Sequence, residues 1–223
     1  MPCARDPRSL ECTWRLERHF HRLGLTYVAG CDEAGRGSLI GPLFAAAVIL
    51  DPGRPIRGIN DSKKLTARRR EQLAAEIQAQ SVGWRVVSLS AEEVDLLNVF
   101  QASRAGMILA LQKLIPAPQF ILTDAMRLWD NSQAPNALAP FRWLVHGDAR
   151  SVSIAAASIL AKVARDEVMC EMDRHYPQYN LARNKGYGTP DHLKSLRLFG
   201  PCPEHRRTFQ PVKELCQARL PMF

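Results

Sequence analysis

A mixed α/β layer domain built on a five-stranded sheet is what this sequence predicts, and three observations carry the prediction. Short apolar runs at 27–31, 43–50, 84–89, 120–123 and 141–145 have the length and composition of strands. Segments with apolar residues at helical spacing lie between and after them. In order, the chain reads strand, strand, helix, strand, helices, strand, strand, helices, which is the pattern of one layered α/β domain. Its 223 residues are enough to bury most of its apolar surface without disulfides.

Residues 1–25 form an N-terminal extension that carries Arg5, Arg8, Arg15, Arg18 and Arg22. Leu16, Phe20 and Leu23 at helical spacing predict a short amphipathic helix there, with the arginines on its solvated side. The first two strands, Tyr27–Cys31 and Leu43–Leu50, read as a hairpin whose second arm is entered through Gly41-Pro42, with Asp32 and Glu33 where the first run ends. Neighbouring side chains of a regular strand point to opposite faces, so both carboxylates reach one site only if the backbone bends. Gly35, Gly37 and Gly41 are placed to bend it.

Asp51-Pro52-Gly53 turns the chain, and Thr66 is the preferred cap of a helix over 67–80 marked by Leu73 and Ile77. After the strand at 84–89, Ser90 with Glu93 forms a capping box opening a helical stretch to Leu114, broken near Asn98 and stopped by Pro116 and Pro118. The strand at 120–123 delivers Asp124 at its end, and the loop over 128–140, rich in Asn, Gln and Pro, is expected to be mobile. Phe141–Val145 leads into His146-Gly147-Asp148, which puts Asp148 at another strand end. The longest helix, Ser151 to about Tyr176, starts with small residues that allow close packing on a sheet. Pro177 stops it, a glycine loop follows at 184–190, and a helix over 190–199 leads to a C-terminal region and a tail at 216–223.

Lys and Arg total 30 against 22 Asp and Glu, a net charge of +8 that favours a polyanionic partner, nucleic acid above all. Six cysteines without C-x-x-C spacing argue against a zinc site or a disulfide framework and point to a reduced compartment. Cys202, His205, Glu204 and His192 fall short of zinc spacing and read as structural. No apolar run is long enough to span a bilayer, and charges interrupt the N-terminus, so a cytoplasmic protein with no membrane partner is expected.

Asp32, Glu33, Asp124 and Asp148 all fall at predicted strand ends beside glycine or polar loops, where open α/β sheets build their sites. Carboxylates without His or Cys partners suit magnesium or manganese, and a pair of such ions can cleave a phosphodiester. Arg36 between Gly35 and Gly37, and Lys63 and Lys64 before a helix beside Arg68-Arg69-Arg70, are placed to hold phosphate. The glycine stretch alone also fits a tight hairpin with solvated polar residues, and a basic binding module with surface acids is the competing class. Acids repel phosphate unless a cation intervenes, which favours a nuclease.

Gly30-Cys-Asp-Glu-Ala-Gly-Arg-Gly with Gly41-Pro42, Asp61-Ser-Lys-Lys-Leu, Thr123-Asp-Ala, Gly147-Asp with Ser153-Ile-Ala-Ala-Ala-Ser-Ile-Leu-Ala-Lys-Val-Ala-Arg-Asp, Asn184-Lys-Gly-Tyr-Gly-Thr and His205-Arg-Arg-Thr-Phe resemble bacterial ribonuclease HII, of the type 2 ribonuclease H family. The resemblance runs over about 26–215, in the family's order. It implies a ribonuclease H-like catalytic domain with a C-terminal helical region, and metal-dependent endonucleolytic cleavage of RNA in RNA–DNA hybrids, including incision 5′ of a single ribonucleotide in duplex DNA. Carried over by position, Asp32, Glu33, Asp124 and Asp148 would be the metal-binding and catalytic acids, for two Mn²⁺ or Mg²⁺ ions. Gly35, Arg36 and Gly37 would sense the ribonucleotide 2′-OH and nearby phosphates, Tyr187 would stack under the adjacent deoxyribose, and Lys63 would grip a phosphate. A monomer is expected, with RNA–DNA hybrid and ribonucleotide-containing duplex DNA as partners. Ser38 stands where the family generally has proline, so a looser loop is expected, and the segment before Tyr27 has no counterpart in the motifs.

Overall fold

The computed structural model describes residues 12–129 and 138–217, so most of the loop expected to be mobile, the first eleven residues and the last six lie outside the described part. Its centre is one sheet of five strands: β1 (Val28–Ala34), β2 (Leu43–Ile49), β3 (Gly83–Leu89), β4 (Phe120–Asp124) and β5 (Phe141–Leu144), in the spatial order β3-β2-β1-β4-β5. The hairpin pairs β1 with β2 and β2 with β3 in antiparallel fashion, whereas β4 joins β1, and β5 joins β4, in parallel. The five-stranded sheet of the expected α/β domain is therefore present, with the predicted strands within a few residues of their expected bounds.

Local signals set the helices. Thr66 accepts from the Arg69 N–H and opens α2 (Ala67–Gln80), and Ser90 with Glu93 closes a reciprocal capping box at the start of α3 (Ala91–Leu97). Asn98, at φ +62°, breaks the helix where expected, and its side chain caps α4 (Val99–Gln112) through the Phe100 and Gln101 N–H groups. Helix α1 (Arg15–Arg22) precedes the sheet, and Phe20 on it stacks on Phe120 at the first residue of β4, ring centroids 3.8 Å apart. No single helix among the described residues is long and apolar enough to cross a membrane.

The long helix α5 (Val152–His175) lies on the face of the sheet that α2 also covers, and α4 covers the other face. Its small residues do what their size suggests. Ala155, Ala156, Ala157 and Ala161 are fully buried against the sheet, and the approach is so close that Gly30 faces the helix backbone directly. A Cβ at Gly30 would stand 2.0 Å from the Ser153 carbonyl carbon and 2.3 Å from the Ile154 nitrogen. After α5 the chain folds α6 (Leu181–Asn184), α7 (Pro190–Phe199) and α8 (Val212–Gln217). Ile40, Met169, Tyr179 and Leu181 form a separate small core that ties this C-terminal region to the glycine-rich loop after β1.

Because the atoms that Gly30 would strike belong to helix backbone, no rotamer change relieves them. Gly30→Ala should lower the free energy of unfolding by about 3 kcal/mol or more. Urea denaturation measures it, and a midpoint near that of the parent would contradict the contact.

Candidate active site

Register explains how two adjacent acids come to share one site. β1 pairs with β2 as far as Ala34↔Phe44, but with β4 only as far as Cys31↔Thr123. From Asp32 onward β1 outruns its parallel neighbour, leaving an open edge just past the end of β4. Asp32 is on the face where Ala34 packs towards α5, and Glu33 shares its face with Ala29 and Cys31, on the side of α4. Both carboxylates turn round the open edge into one cleft of about 480 Å³, which Asp124 enters from the end of β4. The expected bend at Asp32-Glu33 is thus absent: the acids lie inside a regular strand, opposite Ala46 and Ala45.

The same cleft is walled by Gly35, Arg36, Gly37, Lys63 and Tyr187, together with Ser62, Arg70, Ser158 and Lys162. Asp148 is the predicted residue outside the wall. It is not on a strand end but on the 3-10 turn Gly147–Ala149, because β5 stops at Leu144 and His146 takes a left-handed conformation. From there it is buried and lies 3.7 Å from Lys63 Nζ. The turn is tied to the site by the Gly147 N–H, which donates to Asp124 Oδ1 at 2.6 Å.

The acids are under electrostatic stress. Burial pushes the Asp32 carboxyl well above the usual carboxylate range, and Glu33 and Asp124 add repulsion that Ser158 only partly offsets. Burial also lifts Glu33 to about 7, against the pull of Arg36, whose Nη1 is 3.7 Å from Glu33 Oε1. Asp124 is raised for the same first reason, with Asp148 adding to it and the Gly147 N–H opposing it. For Lys63, burial works against the charge, yet Asp148, Asp61, Asp32 and Asp124 prevail and hold its pKa above the ordinary lysine value. Glu33 Oε2 is buried without a hydrogen-bond partner. Clustered hard oxygen donors, one of them unsatisfied, fit a hard divalent cation, although no three such side chains among the described residues form a closed ligand cage.

Two glycines of the loop differ in their reasons. Gly35 has φ +93°, and a Cβ there would stand 2.1 Å from Arg165 Nε, so the fold itself demands glycine. Gly37 has neither a left-handed backbone nor any atom within 4 Å of an added Cβ. It sits in the bend as expected, within the turn that the Ser38 N–H closes onto the Gly35 carbonyl at 3.2 Å, but the bend does not require glycine there, and its missing side chain leaves bare backbone at the cleft. Arg36 is held at the rim between Glu33 and the ring of Phe100, 5.7 Å from its centroid.

Sequence reasoning assigned no role to the two side chains that hold this loop. Arg165 and Arg206 are both fully buried. Arg165 donates to the carbonyls of Pro42 and Lys185 and to the Ser38 hydroxyl, while Arg206 donates to the carbonyls of Gly35, Arg36 and Gly41. Burial, then repulsion from Arg165, brings Arg206 down to about 10. Ser38 therefore does not leave the loop loose: its hydroxyl takes the Arg165 N–H at 2.7 Å and donates to the Ile40 carbonyl at 2.8 Å, restraint of another kind than a proline ring. The available signal was spacing, since Ser158, Lys162 and Arg165 recur at three to four residues and so share one face of α5. Lys64 and the run 68–70 contribute less than expected. Arg70 reaches the cleft, but Arg69 turns away to the Arg57 carbonyl and Glu76.

Residues 29–212 match the ribonuclease HII family. A ribonuclease HII of Solibacter usitatus is 47% identical over 211 residues, spanning 95% of this chain and 89% of the relative. One of Geobacillus kaustophilus is 48% identical over 204 residues, spanning 92% and 76%. The crystal structure of ribonuclease H2 from Pyrococcus horikoshii has the same fold, with a TM-score of 0.71 at 26% identity over 86% of this chain and 97% of that one. With its mixed sheet, its acid-walled cleft and these matches, the chain belongs to the ribonuclease HII family, hydrolases of ribonuclease H type that act on RNA in hybrids.

Proposed function

We propose that this chain is a divalent-metal-dependent endonuclease that cuts the RNA strand of RNA–DNA hybrids and incises 5′ of a single ribonucleotide in duplex DNA, leaving 3′-OH and 5′-phosphate ends. The observation that carries this reading is one cleft whose wall contains Asp32, Glu33 and Asp124 together with the Gly35-Arg36-Gly37 loop and Tyr187. Acids for metal and a bare, arginine-bearing loop for the sugar–phosphate backbone line the same cleft, with Arg36 Nη1 3.7 Å from Glu33 Oε1. Such a site suits removal of primers and excision of misincorporated ribonucleotides, by a monomer in the cytoplasm.

Asp32, Glu33, Asp124 and Asp148 would hold two Mg²⁺ or Mn²⁺ ions, which a carboxylate-only donor set favours. Bound divalent ions supply activation of the attacking water and stabilisation of the leaving oxygen. The remaining tasks fall to the chain. Lys63, with its Nζ exposed at the cleft, takes a phosphate, and Arg70 and Lys162 extend the basic wall. Gly37, with open space where a Cβ would stand, lets the substrate come against backbone N–H groups. Arg36, steadied by Phe100, is poised to read the 2′-OH side, and Tyr187, 37% exposed over Lys162 and Arg165, offers its ring to the neighbouring sugar.

Asp32→Asn and Asp124→Asn should each cut turnover by at least about 100-fold, the scale of a lost transition-state contact, while hybrid binding persists. Nicking of a DNA duplex with one ribonucleotide, in Mg²⁺ or Mn²⁺, measures this, and turnover near that of the parent would remove the residue from the mechanism. Arg36→Ala should lower the preference for that duplex over a uniform hybrid roughly tenfold with an unchanged unfolding midpoint; an intact preference would refute its role. Metal linkage gives a third test. Glu33 is raised from 4.5 to about 7, so the folded state holds a proton that the unfolded chain has released. In EDTA the parent should lose stability relative to Glu33→Gln as pH rises from 4.5 through 7, and saturating Mn²⁺ should restore it. A difference independent of pH would show that Glu33 is not stressed.

A further inference from the structure

Cys202, His205 and His192, which the sequence reads as structural, are joined behind Tyr187. The Cys202 N–H donates to His205 Nδ1 at 3.0 Å, and the Cys202 thiol lies 3.2 Å from the same nitrogen. His205 Nε2 faces His192 Nε2 at 3.3 Å, and His192 Nδ1 faces the Tyr187 carbonyl at 3.0 Å. His192 and His205 are both fully buried, and the Tyr179 ring packs edge-on against His205.

Hydrogen-bond polarity then follows from one end to the other. A backbone N–H can only donate, so His205 Nδ1 accepts and its proton sits on Nε2. That proton can only go to His192 Nε2, which forces the His192 proton onto Nδ1, where the Tyr187 carbonyl accepts it. Burial, and then the neighbouring His192, brings His205 down to about 4, and burial lowers His192, so both rings are neutral at working pH and the chain of donors keeps its direction. The Tyr187 carbonyl receives a second bond from the Thr189 N–H at 2.7 Å, which fills its acceptor capacity. A zinc reading does not fit, since no group of three ligands is found among the described residues.

We infer that the Cys202–His205–His192 chain is a positioning device for the proposed reaction, one that fixes the main chain of Tyr187 and thereby sets how strongly the enzyme prefers a single ribonucleotide in DNA over a uniform hybrid. The inference rests on the reading of Tyr187 given above. His205 and His192 are positioning residues, since they touch the Tyr187 backbone and not the cleft. The device is directional: Tyr187 is held in place from Cys202, in the turn that ends the 200–205 segment, through two rings whose tautomers leave no alternative partner.

His205→Asn keeps an acceptor near the Cys202 N–H but removes the donor to His192, whereas His205→Gln keeps a donor near the Nε2 position. The ratio of kcat/KM for a DNA duplex with one ribonucleotide to that for a uniform RNA–DNA hybrid should fall about tenfold in His205→Asn, with hybrid cleavage retained, and recover towards the parent value in His205→Gln. Tyr187→Ala is run beside them. If Tyr187→Ala lowers the ratio and a folded His205→Asn does not, the positioning role is overturned while the role of Tyr187 stands; if Tyr187→Ala leaves the ratio unchanged, the reading of Tyr187 falls and this inference with it. Nitrogen-15 NMR of the unmodified protein tests the wire without any variant. His205 protonated on Nε2 and His192 on Nδ1 at pH 7 supports it, and a His205 protonated on Nδ1 overturns it.

Discussion

Two arginine side chains, buried and satisfied by main-chain carbonyls, hold the working end of this molecule together. Taking a guanidinium out of water is costly unless nearly every N–H finds an acceptor, and Arg165 and Arg206 meet that condition with carbonyls of the 35–42 loop and of Lys185, plus the hydroxyl of Ser38. A planar fork with five donors can bind several carbonyls from different segments at once, which an ammonium on a flexible stem does poorly. Because those carbonyls belong to the loop beside the acids and to the segment leading into Tyr187, both sides of the cleft are referenced to the same pair of charges. Gly35 follows from this directly, since the space its Cβ would need is taken by the Arg165 side chain.

Against this rigid frame the acids are deliberately ill at ease. Asp32, Glu33 and Asp124 are pushed towards protonation by burial and then by neighbouring acids, Glu33 and Asp124 acting on Asp32, Asp124 on Glu33 and Asp148 on Asp124, and Lys63 and Arg36 offset only part of the repulsion. A group of carboxylates held in that condition gains most from a divalent cation, so the stress is also the affinity. The overhang of β1 beyond β4 makes the arrangement possible without strain in the strand, because carboxylates from opposite faces meet where no neighbouring strand separates them.

Close packing sets the depth of the site. With Gly30 against the first turn of α5, that helix runs nearer the sheet than ordinary side chains permit, and it brings Ser158, Lys162 and Arg165 in succession past the acids towards the glycine loop. The N-terminal segment joins in the same packing. Glu17 on α1 is buried and accepts from the Ser153 N–H at 3.0 Å and from the Ser151 hydroxyl, so an acid from before the first strand faces the N-terminus of α5.

Much of this was legible in the residues themselves. Apolar runs, caps at Thr66 and Ser90, the break at Asn98 and the stops at proline are local, short-range effects, and they appear where local chemistry puts them. Motif order likewise marked Asp32, Glu33, Asp124, Lys63 and Tyr187, which the fold gathers on one cleft. What the chain in isolation could not disclose was anything that depends on register or on contacts across many residues. The route by which adjacent acids share a site is decided by where β4 stops beside β1, Asp148 is placed by a left-handed His146, and the roles of Arg165, Arg206, His192 and His205 arise from partners far away in sequence. Periodicity and capping are written in neighbouring residues; hydrogen-bond partners of a buried cation or imidazole exist only after the chain has closed around them.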